Sequence, residues 1–157
     1  MPELLVLRNP GLKDCRDIIT LYQAENWWQG APDTSMAARI IAGSHLFLTA
    51  RTEDRIVGMG RVISDGVSDA YIQDVTVDKS LRGKGIGGLI IQELCRLLLE
   101  QGIDWIGLIA ERGSHPFYER LGFGVMPGAL PMLHQKTLHI MGFGPELSDP
   151  TSESGKK

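Results

Sequence analysis

Four glycines and two cations fall within the seven residues Arg82-Gly83-Lys84-Gly85-Ile86-Gly87-Gly88. Glycine lacks the side chain that would hold backbone N–H groups away from an anion, and it tolerates the positive φ that a tight cradle needs. A long helical periodicity begins at Ile86, so a helix N-terminus with about half a positive charge points at the same spot. Arg82 and Lys84 add full charges. The chemistry this implies is anion binding, most simply of a pyrophosphate.

Other residues have the types needed for proton transfer. Tyr118 carries a phenol whose unperturbed pKa is near ~10, so it is protonated at neutral pH and can donate. Asp74 interrupts an otherwise apolar run, a costly place for a carboxylate unless it is hydrogen-bonded or at work. Glu111 closes another apolar run, and Glu25 stands just before the aromatic pair Trp27-Trp28. These three carboxylates are the candidate bases. Adjacent tryptophans cannot both face inward, so one of the two is expected to pack. His45, His115, His134 and His139 have no metal-ligand spacing, so no metal is expected. Cys15 and Cys95 both fall in helical stretches and are expected to be buried free thiols.

The elements that must position these residues can be read from periodicity and turn signals. Leu4 to Leu7 reads as a strand, and Leu12 to about Glu25 as a helix through Cys15, Ile18, Ile19 and Tyr22. A second helix is expected from a cap at Asp33, Thr34 or Ser35 to about Ala42. Leu46–Ala50 and Arg55–Ile63 form an antiparallel hairpin, followed by a turn at 65–69 and a central strand from Ala70 to Val77. Ile86, Ile90, Leu94, Leu97 and Leu98 give the buried stripe of a helix ended by Gly102. Trp105 to Ala110 is then a strand parallel to Ala70–Val77, because a helical crossover joins them. Ser114 is expected to cap a short helix closed by Gly122, and Leu138–Phe143 to form a last strand. The whole is an α/β fold with a central, twisted, mixed sheet flanked by helices, over residues 1–144. Residues 145–157 are polar and expected to be a disordered tail.

At 157 residues, with 43% hydrophobic and 22% charged content, the chain suits one soluble domain. A net charge of −3 gives no footprint for nucleic acid. No apolar run approaches the ~18 residues of a membrane span, and no secretory leader is visible at Met1-Pro2-Glu3, so a cytoplasmic location is expected.

Gly83 to Gly88 also satisfies the dinucleotide pattern G-x-G-x-x-G, with Glu111 downstream as a ribose acid. Residues 78–82 separate it from the strand, however, and the parallel repeats of a doubly wound sheet are missing. The Walker pattern fails because Gly85 follows Lys84. The run resembles instead the acyl-CoA pyrophosphate loop [Q/R]-x-x-G-x-[G/A] of the GCN5-related N-acetyltransferase superfamily, and it follows Tyr71–Val77, where that family has its fourth strand. Pro116-Phe117-Tyr118-Glu119-Arg120-Leu121-Gly122-Phe123 is similar to the family's second motif, F-Y-E-K-x-G-F. The element order agrees over roughly residues 3–143, and there is a narrower likeness to small-amine and aralkylamine acetyltransferases.

The resemblance implies acetyl transfer from acetyl-CoA to a primary amine, expected to be that of a small molecule, by direct attack in a ternary complex. Tyr118 would be the general acid. Val75, Thr76 and Val77 would contact pantetheine, with a backbone N–H near Val75 holding the developing oxyanion. Arg82 through Gly88, with Ser114, would complete the cofactor site, and Glu25, Trp27 and Trp28 the acceptor side. Where many members have Asn, this chain has Glu111, and Ser114 replaces a common Ala. The resemblance leaves open a non-catalytic acyl-CoA-binding regulatory domain and a protein N-terminal or lysine acetyltransferase. Members often dimerise, so a homodimer through the last strands is also open.

Overall fold

The computed structural model describes residues 1–143. A compact unit covers Met1–Gly124, and a second begins at Val125. The first holds a five-stranded sheet in sequential order: β1 (Glu3–Val6), β2 (Leu46–Arg51), β3 (Ile56–Ser64), β4 (Asp69–Val77) and β5 (Trp105–Leu108). All neighbours are antiparallel except β4 and β5, which are parallel. The helices are α1 (Leu12–Ala24), α2 (Thr34–Gly43), α3 (Ile86–Glu100) and α4 (His115–Glu119).

The central strands have helices on both faces, so their residues alternate between two cores. On β2, Leu46 and Leu48 belong to the core beneath α3, whereas Phe47 meets Ile18, Leu21 and Tyr22 of α1. Ile90 and Leu94 of α3 are fully buried, each contributing about 1.5–3 kcal/mol through burial. Two glycines of β3 let α3 come this close. A Cβ on Gly58 would lie 3.0 Å from the Ile90 side chain, and one on Gly60 would lie 2.9 Å from it. Asp33 caps α2 by accepting from the Met36 N–H at 2.9 Å. Gly102 ends α3 at φ +80°, and Ile103 N–H returns to Leu98 C=O at 3.0 Å in a Schellman arrangement.

Strand β4 is continuous but irregular. Met59 faces Thr76 but Arg61 faces Gln73, so Gly60 opposes both Asp74 and Val75, a bulge with Asp74 at φ +54°. The phase of burial flips there. Ala70 and Ile72 face the α3 core before the bulge, and Val75 and Val77 after it. Thr76 is thereby turned toward α1.

Three expectations are corrected. Leu138–Phe143 is not a strand, because Gln135–Ile140 forms helix α5 in the second unit. His134 caps it by accepting from Lys136 N–H at 3.1 Å, and Gly142 at φ +77° closes it as Phe143 N–H reaches Leu138 C=O at 2.8 Å. The short apolar run fits either period, and the local caps decide in favour of helix. Ser114 stands before α4 but its side chain makes no capping bond; its backbone C=O accepts from Phe117 N–H at 3.0 Å. Finally, β5 stops at Leu108, so Ile109 and Ala110 leave the sheet. The expected tail at 145–157 lies outside the described residues.

Candidate active site

Pairing between β4 and β5 ends at Ile72 and Leu108, although β4 runs on to Val77. The strands part, and a cleft of about 740 Å³ opens between them. Its floor is the edge of β4 from Gln73 to Val77, free of β5. A free strand edge offers backbone N–H and C=O groups to an extended amide-bearing chain.

At one end lies the glycine-rich turn. Gly83 and Gly85 have φ of +77° and +84°, and a Cβ on either would meet no heavy atom within 4 Å, so the left-handed backbone is what requires glycine there. Gly85 is the N-cap of α3. The first N–H groups of α3, at Ile86, Gly87 and Gly88, have no intrahelical acceptor and stand at the cleft wall. A Cβ on Gly87 would lie 3.3 Å from Phe117, so its absence lets α4 close against the turn.

Arg82 lines the cleft, and its Nε–H donates to Val77 C=O at 2.9 Å. Lys84 does not join it. It lines a separate concavity of about 360 Å³ with Thr52, Glu53 and Leu81.

Tyr118 lies on the opposite wall, half-buried, its ring edge-on to Phe117 and Phe123. Burial first, and then the negative charge of Glu111, push its phenol above the ordinary tyrosine pKa. Both effects keep the proton on Tyr118 at neutral pH, the state a general acid needs. Ser114 and Glu111 line the same wall.

Asp74, Thr76, Glu25 and Trp27 border the other side. Asp74 Oδ2 accepts from Tyr22 Oη at 2.7 Å and from Arg61 Nε at 2.5 Å. Burial and the neighbouring Asp74 raise the Tyr22 pKa, which keeps the phenol a donor. The carboxylate is therefore engaged in fixing the bulge to α1 and β3. Glu25 Oε1 accepts from Thr76 Oγ1 at 2.8 Å and also from Arg82 Nη2. Trp28 stands apart from the cleft, packed against the helix cores, with its indole N–H donating to Ala31 C=O at 3.2 Å.

Sequence reasoning did not single out Tyr22, Arg61 or Arg112. A signal existed for the first two. Arg61 interrupts an apolar strand as Asp74 interrupts its neighbour, and opposite charges on adjacent buried strands imply a pair. The bulge was also visible, since the buried positions 70, 72, 75 and 77 slip out of alternation at Asp74.

Residues 15–130 match the acetyltransferase (GNAT) domain family. The chain belongs to that family. Among curated relatives, it is 31% identical over 135 residues to a probable acetyltransferase, TAP2, of Glycine max, covering 80% of this chain and 54% of that one. The chain thus spans about half the length of that relative. It is 37% identical over 76 residues to serotonin N-acetyltransferase 2 of Oryza sativa subsp. japonica, covering 48% of this chain and 38% of the relative. Among solved structures, a GNAT-family acetyltransferase of Streptococcus pneumoniae superposes with a TM-score of 0.70 at 25% identity, over 85% of this chain and 97% of that one. The mixed sheet with flanking helices is the GNAT fold.

Proposed function

We propose that this GNAT chain transfers the acetyl group of acetyl-CoA to a primary amine of a small molecule. The observation that carries the reading is the sharing of one cleft by three parts: the glycine turn, the free edge of β4 and Tyr118. Acetyl-CoA supplies an activated thioester carbonyl. The donors present suit it, with backbone N–H groups and a helix N-terminus for the pyrophosphate and an amide-rich strand edge for pantetheine.

The chain's own residues would then do three things. The segment around Val75 holds the carbonyl against the β4 edge, where a backbone N–H facing the developing oxyanion is worth ~10²–10³ in rate. Glu25 and Glu111 accept the ammonium proton, directly or through water. As the amine nitrogen bonds to the carbonyl carbon and the C–S bond breaks, Tyr118 delivers its proton to the departing sulfur and is reprotonated by the proton that nitrogen sheds, so no acyl-enzyme forms and neither cysteine takes part. Trp27, next to Glu25, favours an amine with an aromatic or aliphatic body, which is also what the likeness to the rice serotonin acetyltransferase suggests.

The test is thiol release from acetyl-CoA against aryl, aliphatic and polyamine acceptors, with CoA binding measured alongside. Turnover with one amine class supports the reading. CoA binding with no turnover on any amine overturns the small-molecule acceptor, and no CoA binding overturns the whole.

A further inference from the structure

Glu25 is half of a contact that spans the cleft. Its carboxylate side chain is 13% exposed, whereas the Arg112 side chain opposite is 60% exposed. The two carboxylate oxygens are unequally committed. Oε1 is held by Thr76 Oγ1 and Arg82. Oε2 meets Arg112 Nη1 at 3.5 Å, a separation too long for a strong charge-assisted hydrogen bond. Arg112 Nη2 donates in addition to the Glu25 backbone C=O at 3.2 Å.

The backbone beneath Arg112 is strained. Residues 111–114 form a tight turn closed by Ser114 N–H to Glu111 C=O at 3.0 Å, with φ of +54° at Arg112 and +72° at Gly113. Positive φ at both central positions defines a type I′ turn, which favours Asn, Asp or Gly at the first of them. An arginine there is disfavoured in the folded state, and its guanidinium reaches back to Glu25. Strain of this kind is retained where the surroundings over-determine it, often at ligand sites.

We propose that Arg112 is a displaceable latch, its guanidinium occupying on Glu25 Oε2 the place that the acceptor's ammonium takes. The inference rests on the amine-acetyltransferase reading and adds to it a residue that sets acceptor affinity. Cation replaces cation on a carboxylate that is already desolvated, so the charge of the site is conserved. A neutral amine analogue gains nothing from the exchange. Trp27, exposed at the same cleft, offers its face to the body of the incoming molecule.

The test uses the full chain saturated with CoA and phenethylammonium as the probe, with 2-phenylethanol as its uncharged counterpart. Binding is measured by calorimetry for the wild type, Arg112→Gly, Glu25→Gln and the double variant. Glycine suits the positive φ, so Arg112→Gly relieves the turn and preserves folding. The expected result is a roughly 2- to 5-fold tighter Kd for phenethylammonium in Arg112→Gly, the range of an exposed ion pair. Glu25→Gln should weaken it roughly 10-fold or more, and should erase the effect of Arg112→Gly in the double variant, while 2-phenylethanol responds to neither change. Unchanged or weaker phenethylammonium binding in Arg112→Gly overturns the latch, as does equal tightening of 2-phenylethanol. CoA titrated alone separates the two levels, because a wild type that fails to bind CoA removes the acetyltransferase reading itself.

Discussion

The two sides of the cleft are built in different ways. The glycine-rich side comes from one contiguous stretch, Arg82 to Gly88, and is built of backbone N–H groups, two positive-φ glycines and a helix terminus. The acceptor side is assembled from α1, β3, β4 and the two loops carrying Glu25 and Arg112, and relies on side-chain charges paired across long sequence distances. A site made of backbone tolerates changes in nearby side chains but fails when φ is constrained. A site made of paired charges fails when one of its less exposed members, such as Asp74 or Glu25, is removed, because the partners stay partly buried without compensation.

The largest expected effect falls on neither of these two sides but on Tyr118, the proposed proton donor on the facing wall. Tyr118→Phe should lower kcat by ~10²–10⁴, read by steady-state thiol release, with CoA affinity little changed. Near-normal kcat would reduce Tyr118 to an aromatic packing residue. Gly85→Ala tests the backbone-built side. A Cβ there meets no neighbour, so the cost is the left-handed backbone alone, about 1–2 kcal/mol. CoA binding by calorimetry should weaken roughly 5- to 30-fold, and unaltered affinity would remove the cradle.

Asp74→Asn tests the charge-built side. Tyr22 and Arg61 would lose their ionised acceptor, at a cost of about 1.5–3 kcal/mol, seen as a fall in Tm of roughly 4–9 °C. An unchanged Tm with a collapsed kcat would instead make Asp74 the base, and the comparison between the walls would need redrawing.

The smallest effect is on the pH profile. Tyr118 acts as an acid only while protonated, so activity should persist above the usual tyrosine pKa of ~10 and decline as pH rises through the raised value. Glu111→Gln removes one of the two causes of that rise, so the alkaline limb should move down toward ~10, as rate measurements between pH 8 and 11 would reveal. An immobile limb would show that burial alone sets it.

Much of the fold was legible because it is local. The crossover from β4 through α3 to β5 follows from a strand period, a glycine turn and a helical stripe in sequence, and Ile86, Ile90, Leu94 and Leu98 are buried as that stripe requires. Leu138–Phe143 was misread where the signal was weakest, in a short apolar run whose state is decided by His134 at one end and Gly142 at the other. On the site, the turn was legible down to its glycines, yet the directions of Lys84 and Trp28 were not. Neither the face of a turn on which a lysine emerges nor the choice between two adjacent tryptophans is encoded in spacing.

The sequence by itself determined the family, the mixed sheet and the glycine-rich turn before α3, because each depends on residues close along the chain acting through backbone geometry. Only the tertiary structure decided that Asp74 is bound by Tyr22 and Arg61, and that Glu25 holds Arg82 on one side and Arg112 on the other. Those pairs join residues as far apart as 25 and 112. The β4 bulge and the parting of β4 from β5 bring them within reach, and no local pattern records a distance across a cleft.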